Sequence, residues 1–71
     1  MRILAEWRKR AGLTQAQLAE QLGVSQVRIS TLESGSHPSA ELLGKIVGRL
    51  DPSAEEVKAA VTEMAESQEA A

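Results

Sequence analysis

Apolar side chains recur along this chain every three to four residues and never alternate with polar ones for long, so its elements are helices and its fold class is all-α. Five helices fit the pattern. The first runs from about Ile3 to Ala11 with Leu4 and Trp7 facing inward and stops near Gly12, with Leu13 packing at the corner. Thr14 is a good N-cap for the second, and Gln17 can return the hydrogen bond in a capping box. That helix ends near Gln21 or Leu22, where Gly23 can take the left-handed conformation at little cost, and Ser25 caps a third helix starting at Gln26. Gly35 is expected to close the third helix after Ser34 in the same way.

"SHPS", residues 36–39, reads as a loop, and Ser39 can cap a fourth helix whose inward positions are Leu43, Ile46, Val47 and Leu50. "DPS", residues 51–53, ends that helix and starts a fifth. Two starts fit: Asp51 as N-cap with Pro52 at the first helical position, or Ser53 in a capping box with Glu56. The fifth helix carries Val57, Val61, Met64 and Ala65 on one side and is expected to fray into "SQEAA". Gly44 and Gly48 cost the fourth helix roughly 1 kcal/mol each relative to alanine. Either they admit a closely approaching helix or they are simply exposed.

Two short helices joined through a glycine form a helix-turn-helix when they cross steeply, and the spacing here meets that geometry. Leu18 and Leu22 share a face, Val24 plugs the turn, Ile29 and Leu32 share the face opposite, and Ala19 is small where the helices cross. The segment "GLTQAQLAEQLGVSQVRISTLESG" resembles the helix-turn-helix of lambdoid phage repressors and Cro, the XRE family of bacterial regulators. The likeness runs through its Thr-Gln start, Leu-Ala, the Leu-Gly-Val-Ser turn, Ile-Ser and the Glu-x-Gly ending. It continues through Pro38, Ser39, Leu43 and Ile46 to Leu50, so it covers about residues 4–50.

The resemblance implies a compact five-helix, lambda-repressor-like domain that binds double-stranded DNA with the third helix in the major groove. Gln26, Val27, Arg28 and Thr31 are then the base-reading candidates: Gln26 for adenine, Val27 for a thymine methyl, Arg28 for a guanine or, failing that, a phosphate. Val27 is the most informative of these, because Val24, Ile29 and Leu32 already supply the buried face. Phosphate contacts are expected at the start of the second helix with Gln15, and at Ser25, Ser36 and His37. His37 is equally compatible with an exposed loop residue of no consequence, and Lys9 and Arg10 read as a solvated face. By the same resemblance Arg8 and Glu33 form a structural ion pair, which takes precedence over a phosphate contact by Arg8.

Composition narrows the chemistry. The 71 residues are enough for one small domain, a core over residues 1–50 with the fifth helix over 51–71, and domains of this size usually need help, here most simply a partner subunit. With no cysteine and His37 as the single histidine, neither a disulfide framework nor a metal site can be drawn. Nor can a nucleophile–base pair or a phosphate-binding loop, so no catalytic residue or cofactor is expected and the chain reads as a non-enzyme. Trp7 is the only aromatic residue, which leaves no platform for stacking single-stranded bases. No apolar run reaches the length of a bilayer span, and a cytoplasmic protein, encoded by a bacterium or a phage, is expected.

The net charge of −2 hides an asymmetry. Residues 1–50 carry seven basic groups against four acidic ones, while residues 51–71 carry Lys58 against six acids. The basic half is the expected working half. The loop "SGSHPS" has fewer Lys and Arg than the family often provides there, so affinity should rely on two copies binding together. The fifth helix is the expected dimer interface, through Val57, Val61 and Met64. The expected function is that of a homodimeric, sequence-specific repressor on an inverted-repeat operator. The alternative is an antitoxin or adaptor of the same fold whose main role is to bind a protein, such as a toxin, through the acidic fifth helix.

Overall fold

The computed structural model describes residues 1–69, and their side chains as far as Ala65. It contains α1 (Leu4–Arg10), α2 (Gln15–Leu22), α3 (Gln26–Glu33), α4 (Ala40–Leu50) and α5 (Ala54–Glu69). Polar caps set most of the boundaries. The Gln17 N–H donates to Thr14 Oγ1 at 3.1 Å while the Thr14 N–H donates to Gln17 Oε1 at 2.9 Å, a complete capping box at α2. Ser25 Oγ accepts from the Arg28 N–H at 3.1 Å, and Ser39 Oγ from the Leu42 N–H at 3.2 Å. Gly23 ends α2 with φ of 72°, in the left-handed region.

The start of α5 is settled in favour of Ser53. Its N–H donates to Glu56 Oε1 at 3.0 Å and its Oγ accepts from the Glu56 N–H at 3.3 Å. Asp51 instead closes α4, in the left-handed region at φ 48°, with its N–H donating to the Val47 carbonyl at 2.9 Å. Three further expectations are corrected. Gly35 does not close α3 in the left-handed helical conformation: Ser34 ends the helix with right-handed dihedrals, and Gly35 takes φ of 125° in the loop. The deepest positions of α4 are Leu42 and Ile46, with Leu43, Val47 and Leu50 half-buried, because the apolar arc is wide and its neighbours decide which edge sinks. Helix α5 does not fray at Ser67 but continues through Glu69; Ala70 and Ala71 lie outside the described residues.

Every helix contributes to the core. Met1, Leu4, Trp7, Leu18, Ile29, Leu32 and Ile46 are fully buried, joined by Ala19, Leu22, Leu42 and Ala60. Each large side chain removed from water in this way contributes about 1.5–3 kcal/mol. The most extensive contact is between α2 and α3, and the small side chain of Ala19 is buried in α2. Helix α5 is seated by Ala60, with Val57 packed beside it, and by charge. Glu63 accepts the Arg2 N–H at 3.2 Å and lies 3.4 Å from the Met1 amino nitrogen, and Glu56 pairs with Arg10 at 2.8 Å. The acidic helix thus closes on both ends of α1, with Glu56 at its basic last turn and Glu63 at the start of the chain.

Candidate nucleic-acid interface

Helix α3 turns Ile29 and Leu32 into the core and leaves Gln26, Val27, Ser30 and Thr31 on its exposed side. Val27 is 74% exposed, with Val61 the other large apolar side chain exposed among the described residues. An isolated valine in water is unremarkable in itself. Here it stands at the first turn of a helix whose buried side is complete without it, flanked by an amide and a hydroxyl.

The hydroxyls along α3 are held by the helix itself. Thr31 Oγ1 donates to the Val27 carbonyl at 2.8 Å and Ser34 Oγ to the Ser30 carbonyl at 3.0 Å. Their oxygens keep acceptor capacity for an outside donor, and the Ser25 hydroxyl, an acceptor for the helix, keeps its own proton to donate. Gln26 is exposed. Arg28, expected to read a guanine or fall back to a phosphate, is half-buried, and its guanidinium donates to the His37 carbonyl at 3.3 Å, on the loop after α3.

The start of α2 is tied to the end of α3. Arg8 Nε donates to Glu33 Oε2 at 2.6 Å and Nη2 to Oε1 at 3.2 Å, with the two side chains only 12% and 9% exposed. A third nitrogen of Arg8 donates to the Leu13 carbonyl at 2.9 Å. Gln15 Nε2 donates to the same Glu33 carboxylate at 3.1 Å, which leaves its second amide proton for another acceptor. Burial pushes the Glu33 carboxyl up, but the hydrogen bonds from Arg8 and Gln15 outweigh it and hold the group below its ordinary range. The Glu33 hydrogen bond raises Arg8 in turn.

The loop from Gly35 to Ser39 is pinned from two sides. The Met1 amino group donates to the Ser36 carbonyl and Arg28 to that of His37. Ser36 and His37 are half-buried, and His37 Nδ1 is buried without a hydrogen-bond partner. Sequence reasoning passed over Arg2. Its exposed guanidinium lies against Gly35, 3.6 Å from where a β-carbon on that glycine would sit. No local signal links residues so far apart in the chain.

The expected dimer residues differ among themselves. Val57 is packed on the core, Met64 is half-buried, and Val61 is 47% exposed. Among the described residues no group of acidic or histidine side chains is placed to hold a metal ion, and no helix is long and apolar enough to cross a membrane. In comparisons with known proteins, the model of a family described as Helix-turn-helix matches residues 4–57. No curated protein and no solved structure matches the chain.

Proposed function

The chain belongs to the XRE-type helix-turn-helix family of DNA-binding regulators, and on that premise we propose that it is a repressor that binds an inverted-repeat operator as a homodimer. The observation that carries this reading is the exposure of Val27 between Gln26 and Thr31 on the outward side of α3. An apolar contact to a thymine methyl beside an amide that can pair with adenine is a base-reading set. Arg28 joins it, or falls back to a phosphate, through the guanidinium N–H groups that its bond to the His37 carbonyl leaves free.

Gln15, Ser25, Ser36 and His37 supply the backbone contacts in this reading. Gln15 and Ser25 stand at helix starts, where unpaired N–H groups and the helix dipole favour an anion. One such helix reads only a few base pairs, and two copies on half-sites about one helical turn apart extend the sequence read. Val61 is the large apolar side chain of α5 most open to a second copy among the described residues, with Val57 and Met64 behind it. The competing role for α5, an acidic surface for a basic protein partner, is weakened because Glu56 and Glu63 are already engaged within the chain.

The test is a titration of the purified protein with short duplex DNA across a salt series. Binding that is tight at low salt and falls as salt rises supports the reading. A protein that stays monomeric and binds no duplex at low salt overturns it.

A further inference from the structure

The chain has five arginines, at positions 2, 8, 10, 28 and 49. Four of them are engaged: Arg8 with Glu33, Arg10 with Glu56, Arg28 with the His37 carbonyl and Arg49 with Gln21 Oε1. Among the described residues the Arg2 guanidinium has no hydrogen-bond or ion-pair partner; the bonds of Arg2 are those of its backbone, the N–H to Glu63 and the carbonyl from the Ala5 N–H. A side chain held by its neighbours for stability would be bonded to them, and among the described residues this one is not.

Its position is what gives the free charge a use. The loop that follows α3, "SGSHPS", contains no lysine or arginine of its own. The Arg2 guanidinium is laid against Gly35 within that loop, with Nε, Nη2 and Cζ all within 4.0 Å of the position a β-carbon would take. Gly35 is constrained by its φ of 125°, which L side chains rarely adopt, and the guanidinium stands at ordinary contact distance from where a β-carbon would sit. The Glu63 carboxylate fixes the backbone from which Arg2 projects, and the contacts of Met1 and Arg28 fix the loop it lies on.

We propose that Arg2 is a DNA-backbone contact, a guanidinium carried from the start of the chain to the loop after α3, where it supplies the phosphate-binding charge that the loop sequence lacks. The proposal rests on the DNA-binding reading given above. Guanidinium suits the task, because it remains charged at any working pH and presents a planar fork to phosphate oxygens. The contact carries no sequence information.

The test compares wild type, Arg2→Gln, Arg2→Lys and, as a charge control on α5, Lys58→Gln, each titrated with a duplex selected for tight binding and with an unrelated duplex across a salt series. Arg2→Gln should weaken binding to both duplexes by the same factor, and the slope of log affinity against log salt should fall by about 0.9 for each bound copy, about 1.8 for a dimer. Arg2→Lys should keep the wild-type slope, Lys58→Gln should change nothing, and thermal melting should be the same in all four. An unchanged slope in Arg2→Gln, a loss confined to the selected duplex, or an equal loss in Lys58→Gln overturns the assignment of Arg2 alone. Wild type that binds neither duplex overturns the DNA-binding reading and this proposal with it.

Discussion

Gln15, the first residue of α2, and Glu33, the last of α3, meet side chain to side chain at 3.1 Å. The same carboxylate receives two bonds from Arg8 of α1, so one acidic group ties three helices at the edge of the candidate interface. A mostly buried charge stripped of its partner is costly. Arg8→Met and Glu33→Gln should each destabilise the fold by about 3 kcal/mol, measured by urea denaturation. The double variant Arg8→Met/Glu33→Gln should lose less than the sum of the two, and strict additivity would show that the groups do not act as a pair.

The glycines separate into two kinds. Gly23→Ala meets no atom within 4 Å, yet it forces alanine to φ of 72°, and it should cost about 1 kcal/mol or more. Gly44 and Gly48 lie within α4 with ordinary backbone and open space around a β-carbon. Gly44→Ala and Gly48→Ala should each stabilise the isolated chain by up to about 1 kcal/mol in denaturant titrations. If instead either change abolished self-association, the small residues would be there to admit a second copy.

Acid should loosen α5 from α1. The hydrogen bond from Arg10, with that from the Ser53 backbone, holds the Glu56 carboxyl down at about 2, and Glu33 is held below its ordinary range as well. A depressed carboxyl contributes stability above its unfolded-state value of about 4.3 and loses it as pH falls through the folded value. Melting temperature should therefore be level above the ordinary carboxylate range and decline from there toward pH 2. Glu56→Gln should flatten part of that decline; a decline of the same depth in the variant would remove Glu56 from the explanation.

Much of this molecule is legible in its sequence, for a physical reason. Caps are local chemistry: Thr14 with Gln17, Ser25 and Ser39 act on N–H groups three residues away, and the helix starts follow from them. The outward position of Val27 follows from the surplus of apolar residues over the buried face. What escapes is decided at long range. The choice of Leu42 over Leu43 as the deepest position of α4, the burial of the small Ala60, and the contacts of Glu63 with Met1 and Arg2 depend on elements that local spacing does not relate. The hydrogen bond of Arg28 to the carbonyl of His37 is of the same kind, since the position of Arg28 on α3 permits either the groove or the loop.

Val61→Glu should separate self-association from folding. At 47% exposure the valine can be replaced with little effect on melting, while a like charge facing its own copy across a two-fold axis opposes assembly. Sedimentation should show monomer where wild type is dimer, and binding to a two-half-site duplex should weaken more than binding to a single half-site. Unchanged sedimentation would exclude this face of α5 from the interface.

Selection from a random duplex pool, read for wild type, Gln26→Ala and Val27→Ala, tests the outward side of α3 most directly. Wild type should enrich two inverted half-sites about one helical turn apart. Each substitution should relax preference at its own base position, at about 1–3 kcal/mol per lost contact, while binding to unselected DNA is retained. The same enriched sequence in all three proteins would contradict the placement of α3 in the groove.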